Sequence, residues 1–402
     1  MSCPLHALLP VAWAVVAADP APLPQVPGIV LTEVELPSSL DGVAQPVIVG
    51  VPESYDGSRP TPLLVGLHTW SAGYQQRAEP YGAEAARRGW LLVLPHFRGP
   101  NTTANPSPTQ AGGSLPAQHD IADARRYMLE HYEVDPTRVY ITGDSGGGHM
   151  TLLMAAKYPD LWTAAAAWVP VTDLREWWEL QSGYAAHIEA VTGGKPGESA
   201  AIDFEYLRRS PRTFMSNLAH LPVLLAHGDR DASIPVEQSW RTFRALDAVP
   251  RHRTVFYVFS GGHTSDHRFG FDWLSQHVGS GEPPTELHLV TDESKAYYWA
   301  DLKVADDTAL GRADIVLDGD ALAIATSNLS SVTIDLRDLP LPEGGIFLSV
   351  RSDLPLELRL RNAPAEAELA HPVAWTTFVE ADGLSIFFSA PSEEARSLRL
   401  AW

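Results

Sequence analysis

Through residue 278 of the 402-residue chain, short apolar runs alternate with stretches of helical period, so strands and helices are predicted in turn. Runs at 63–67, 90–94, 139–142, 163–169, 221–225 and 254–259 have the composition of buried strands. Helices are expected at 81–89, 120–132, 150–158 and 272–278. Two further runs, 29–36 and 45–51, flank a turn at 38–42 and read as an antiparallel entry pair. This alternation predicts an α/β fold with a mostly parallel, doubly wound sheet. The segment 172–218 departs from it. It holds Trp177, Trp178, Tyr184 and His187 and a glycine-rich stretch at 191–197. It reads either as a cap inserted over the site or as ordinary helix packing.

After Gly279-Ser280-Gly281-Glu282-Pro283-Pro284, a linker composition, the pattern changes to short strands separated by Asp, Gly and Pro turns. Strands are predicted at 285–290, 295–304, 313–317, 321–326, 331–336, 346–350, 356–360, 375–380 and 384–388. Their spacing predicts a small all-β sandwich over 285–402. Trp299 and Trp375 are candidate sugar-stacking platforms, which would make this a carbohydrate-binding module. The other reading places both in the sandwich core and makes the domain a structural appendage.

The chemistry begins at the end of the 139–142 run. Gly143-Asp144-Ser145-Gly146-Gly147 is a G-x-S-x-G pentapeptide between a predicted strand and a predicted helix. A serine on so sharp a turn presents its hydroxyl, and the flanking glycines relieve the crowding. Downstream, the 221–225 run leads to His227-Gly228-Asp229-Arg230-Asp231, and the 254–259 run leads to Gly261-Gly262-His263. A nucleophile, a carboxylate and an imidazole thus each follow a predicted strand, in the order Ser, Asp, His. Serine needs a base to take its proton, and the imidazole needs a carboxylate to fix its tautomer. On position alone Asp229 and Asp231 are equal candidates.

His227-Gly228-x-x-Asp231-x-x-Ile234-Pro235 resembles a motif of the prolyl oligopeptidase-like and feruloyl-esterase-like serine hydrolases of the α/β-hydrolase superfamily. The resemblance runs over roughly 30–278. It implies an α/β-hydrolase fold and the triad Ser145, Asp231 and His263, selecting Asp231 over Asp229. It also implies an oxyanion hole made by the backbone N–H of Gly146 and one from the loop His68-Thr69-Trp70-Ser71. Alignment on His68 points to Trp70, with Thr69 as the alternative. Thr69 stands where the family usually has glycine. Trp70, Tyr74, Trp177 and Trp178 are the expected substrate-pocket residues. His68 and His149 are expected to be structural. His263, Asp266 and His267 lie close in sequence but supply no metal-ligand pattern, so neither metal nor cofactor is expected.

Composition narrows the partners. The formal net charge is −20 and the isoelectric point about 5.1. Nucleic acid is therefore not an expected partner, since it requires a basic face. The apolar stretch 5–18, ending in Val16-Ala17-Ala18, reads as a signal peptide over 1–18, although no Lys or Arg precedes it. The expectation is a secreted or periplasmic protein with no membrane span in the mature chain and a catalytic domain at 19–280. Cys3, the single cysteine, would leave with the leader, so no internal disulfide is expected. Nothing in the composition sets the oligomeric state.

The expected reaction is acyl transfer to water through a serine acyl-enzyme. Peptidases of the resembled group usually carry a gating domain ahead of the hydrolase, and the short stretch before residue 29 has no room for one. A carboxylic ester hydrolase is therefore preferred, acting on small-molecule or polymer-linked esters such as polysaccharide acyl or feruloyl esters. A serine aminopeptidase and a non-catalytic binding protein on the same scaffold are the alternatives.

Overall fold

The computed structural model describes residues 22–180, 183–249, 252–363, 368–370, 376–380, 383–388 and 392–401. The expected leader, Cys3 and Trp375 lie outside them. The first domain is built on eight strands: β1 (Ile29–Pro37), β2 (Ala44–Pro52), β3 (Thr61–Leu67), β4 (Leu91–Pro95), β5 (Val134–Asp144), β6 (Ala164–Trp168), β7 (Val223–Gly228) and β8 (Thr254–Phe259). They form one sheet in the order β1-β2-β4-β3-β5-β6-β7-β8. β1, β2 and β4 pair antiparallel, and every pairing from β4 through β8 is parallel.

The central strands are apolar on both faces because helices cover both. Leu63, Val65 and Leu67 point into one core with α2 (Leu115–His131) and α3 (Gly146–Lys157). Leu64 and Leu92 point into the other, with α1 (Ala78–Arg88) and α8 (His267–Leu274). The period-two alternation decides which residue enters which core. The sheet order reverses between β3 and β5, so the loops after these strands diverge and leave a crevice. The expected helix at 272–278 is corrected: α8 starts five residues earlier and ends at Leu274. Asp266 caps it, its carboxylate accepting from Phe269 N at 3.0 Å.

Residues 172–218 form α4 (Leu174–Glu179), α5 (Ala185–Thr192), α6 (Ala200–Arg208) and a 3₁₀ segment, Pro211–Leu218. Leu174, Trp177, Ile188, Val191 and Tyr206 share a core with Trp70 and Ile234, which belong to the loops after β3 and β7. This insertion therefore sits on the carboxyl ends of the strands.

The C-terminal domain packs two six-stranded sheets face to face among the described residues. One contains β9 (Glu286–Thr291) and strands Gly311–Asp318, Ala321–Ser327, Ile346–Ser352, Glu368–Ala370 and Ser392–Ala401. The other contains Lys295–Tyr297, Ala300–Val304, Leu329–Asp335, Leu356–Arg361, Thr376–Glu380 and Gly383–Phe388. The single strand expected at 295–304 is two strands, because Tyr298 takes φ of 51° and turns the chain. Glu368–Ala370 and Ser392–Ala401 were not foreseen from sequence. Trp299 is 3 % exposed, and its indole Nε1 donates to Pro284 O at 2.6 Å. It is core, not a sugar platform.

Candidate active site

Ser145 joins β5 to α3 at φ 58° and ψ −119°, a conformation costly for a residue with a side chain. Three close approaches enforce it. A Cβ on Gly143 would lie 2.6 Å from the Gly147 backbone, one on Gly147 would lie 2.5 Å from Leu67 O, and one on Gly148 would lie 2.5 Å from Trp168 O. Ser145 N donates to Trp168 O at 2.9 Å, tying the turn to β6. The serine is half-buried at the mouth of the crevice.

Gly146 begins α3, so its N–H is one of the helix's unsatisfied amides. A Cβ there would fall 2.3 Å from Trp70 N, which shows how closely the loop after β3 approaches. Thr69 N–H donates to Gln76 Oε1 at 2.9 Å. It is thereby occupied, while the Trp70 N–H has no partner among the described residues. Of the two candidate donors left open by the sequence, Trp70 is the one free to face an oxyanion beside Gly146.

The segment carrying Gln76 is a 3₁₀ turn, Tyr74–Arg77, and its next residue acts on the other side of the crevice. The Arg77 guanidinium pairs with the carboxylate of Asp144, the residue before the serine. One turn therefore ties residues next to both candidate oxyanion donors. Neither Gln76 nor Arg77 was singled out in the sequence, because no local motif contains them.

Asp231 and His263 meet at the ends of β7 and β8. The imidazole Nδ1–H donates to Asp231 Oδ2 at 2.7 Å, which leaves Nε2 as the basic nitrogen. Asp231 Oδ1 accepts from the N–H groups of Ser233 at 2.8 Å and Ile234 at 2.9 Å. The Asp231 carboxylate is fully buried, and burial alone would raise its pKa. Hydrogen bonds from His227, His263 and Ile234 outweigh that and hold it well below the usual carboxylate range. His227 Nε2 lies 3.3 Å from Asp231 Oδ2 and 2.8 Å from Ile234 O, while Nδ1 meets Ser239 Oγ at 2.7 Å. The sequence motif contained His227 without suggesting this role. Asp229, the competing carboxylate, accepts instead from Gly261 N at 2.9 Å and braces the His263 loop. Among the described residues no hydrogen bond joins Ser145 Oγ to His263. Such pairs are often long before substrate binds.

The expected pocket residues divide. Trp70 and Trp177 are each 1 % exposed and meet edge to face at 5.1 Å between ring centroids. Their rings are core of the insertion, and the backbone of Trp70, not its indole, faces the crevice. This corrects the expectation that both rings line an open pocket. Trp178 is half-buried with its Nε1 donating to Glu189 Oε1 at 2.9 Å. Tyr74 donates its hydroxyl to Glu33 Oε2 at 2.7 Å, and burial together with Glu33 pushes its pKa up to about 12. It lines a surface hollow of about 440 Å³ with Gly73, Gln75 and Gln76. His68 and His149 are buried; His149 Nε2 donates to Arg209 O at 2.7 Å.

Geometry of this kind defines a class, and comparison with known proteins agrees with it. Residues 85–279 match the model of the prolyl oligopeptidase family. The chain is similar to an acetylxylan esterase of Coprinopsis cinerea, 35 % identical over 116 residues, covering 26 % of this chain and 30 % of that protein. It is also similar to the acylamino-acid-releasing enzyme of Rattus norvegicus, 26 % identical over 220 residues, covering 50 % of this chain and 29 % of that one. The matched stretches therefore span less than a third of either relative. Among solved structures, an acylaminoacyl peptidase of Pyrococcus horikoshii superposes with a TM-score of 0.53 at 19 % identity, covering 65 % of this chain and 43 % of its own. That likeness shows the fold. The fold is that of the α/β-hydrolases, and residues 85–279 are similar to the prolyl oligopeptidase family. Among the described residues no helix is long and apolar enough to cross a membrane.

Proposed function

We propose that the protein is a secreted carboxylic ester hydrolase that removes acyl groups from polysaccharide, with Ser145 as nucleophile, His263 as base and Asp231 as its orienting acid. The observation that carries the catalytic part is the buried Asp231 carboxylate, fixed by two backbone amides and paired with His263 at 2.7 Å. His263 Nε2 takes the Ser145 proton as Oγ attacks the ester carbonyl. The N–H groups of Gly146 and Trp70 stabilise the tetrahedral oxyanion, and the imidazolium then protonates the departing alkoxide. Water, deprotonated by the same nitrogen, releases the acid and restores Ser145.

Two observations support an ester of a large alcohol. The chain's resemblance to the Coprinopsis acetylxylan esterase is at the higher identity of the two relatives described. The His263 side chain is also 28 % exposed, so the leaving-group side opens to solvent and a bulky alcohol need not enter. The second reading is a serine peptidase, favoured by the longer match to the acylamino-acid-releasing enzyme.

Wild type and Ser145→Ala should be assayed on p-nitrophenyl acyl esters, feruloyl esters, acetylated xylan and aminoacyl-p-nitroanilides. The expected result is turnover of short acyl esters and of the acetylated polymer, abolished by the substitution. Anilide turnover with weak ester turnover would favour the peptidase. Silence from folded protein would sink the catalytic reading.

A further inference from the structure

A second concave site lies at the opposite end of the sheet from Ser145. It is a groove of about 940 Å³ between the first domain, the linker and the sandwich. Thr137 on β5, Thr163 before β6, Pro222 before β7 and Arg253 before β8 all line it. The groove therefore crosses the amino ends of four neighbouring strands, three interstrand spacings or about 14 Å. Five-residue β6 alone separates this end from the crevice by about 17 Å. It is not part of the catalytic centre.

Its most unusual component is Arg125, on α2. The side chain is half-buried, its Nε has no hydrogen-bond partner, and Arg125 forms no ion pair among the described residues. Its neighbours in the groove are the Trp162 ring, 6.0 Å from Cζ, and Asp160, which acts on it only at longer range. A guanidinium held on the groove wall with no carboxylate partner among the described residues is available to an incoming anion.

The remaining lining suits a sugar chain. Half-buried Tyr298 offers aromatic surface, and Asp160, Glu282 and Asp338 offer acceptors for hydroxyl donors. Arg253 adds donors along the length. An extended peptide is less well served, because the groove runs across strand ends and presents no free sheet edge for backbone pairing. We infer that this groove binds a carboxylate-bearing oligosaccharide, with Arg125 holding the carboxylate. Such a site would keep the protein on an acidic polysaccharide while Ser145 works at the other end of the sheet. The inference does not depend on which ester is cleaved.

Binding should be measured by calorimetry on the full chain with tetragalacturonate, a glucuronic-acid-bearing xylo-oligosaccharide, neutral xylotetraose and oligoglutamate. The expected result is binding of at least one acidic oligosaccharide, at least tenfold tighter than xylotetraose or oligoglutamate. Arg125→Met should lose that binding at least tenfold. Its thermal midpoint should stay close to that of wild type, because Arg125 makes no ion pair among the described residues to lose, and its turnover of a small soluble ester should be unchanged. Equal binding of the neutral sugar, tighter binding of oligoglutamate, no binding at millimolar ligand, or an Arg125→Met variant that binds as wild type would each overturn the proposal.

Discussion

At Gly146 the backbones of two loops approach so closely that the absence of a side chain is a geometric requirement. A methyl group there would fall 2.3 Å from Trp70 N and 2.5 Å from Trp70 Cα, both parts of a backbone that cannot swing aside. Gly146→Ala should therefore separate the two N–H groups, not merely crowd them. Loss of one oxyanion donor lowers turnover roughly 10²–10³-fold, and steady-state kinetics on the best ester should show a fall in kcat of that order with little change in KM. A variant with full activity would place the oxyanion elsewhere. Ser145, Asp231 and His263 were legible as candidates in the sequence because each sits in a short motif at a strand end. Gln76, Arg77 and His227 were not. Arg77 and Asp144 are 67 residues apart, and only the fold brings them into contact.

α3 shows how an element's surroundings set its chemistry. All twelve of its residues are buried, because it lies between the sheet and the 3₁₀ segment Pro211–Leu218. His149 in its first turn is wholly buried, and that burial lowers its pKa from 6.5 to about 4, against the opposing effect of the Arg209 carbonyl. The unfolded chain therefore takes up the proton first. Stability from this group is complete above pH 6.5 and declines as pH falls toward 4, by about 3 kcal/mol in all. His149→Gln, which keeps a donor for Arg209 O but does not titrate, should flatten the fall of the melting temperature across that window. An unchanged slope would mean that other groups control the acid sensitivity. The existence of α3 was readable from its helix formers. Its complete burial was not, since a helix covered on every side carries no polar face to mark its neighbours.

At the scale of the molecule, the two domains are joined by buried charge rather than by the linker alone. Lys157, the last residue of α3, meets Asp292 beside β9 at 2.6 Å, and both side chains are fully buried. Arg208 Nε pairs with the second oxygen of Asp292 at 2.7 Å. The Asn217 side-chain amide clasps the Val290 backbone, Oδ1 accepting from its N–H at 2.8 Å and Nδ2 donating to its carbonyl at 2.9 Å. Breaking a buried pair by removing one partner costs about 3 kcal/mol or more. The native protein is expected to unfold in one calorimetric transition, and Lys157→Met to lower its midpoint and separate the sandwich as a second transition. Two transitions already present in the wild type would show that the joint is too weak to couple the domains.

The alternation of strands and helices in the first domain, the β-rich region after the linker and the three candidate triad positions were determined by the sequence itself, because each depends on local period or on residues adjacent in the chain. The choice of Trp70 over Thr69, the burial of Trp70, Trp177 and Trp299, the joint at Asp292 and the unpaired Arg125 were decided only by the tertiary structure. Each of these depends on which groups distant in sequence come within hydrogen-bonding or packing distance. That is a property of the assembled layers, which local pattern does not encode.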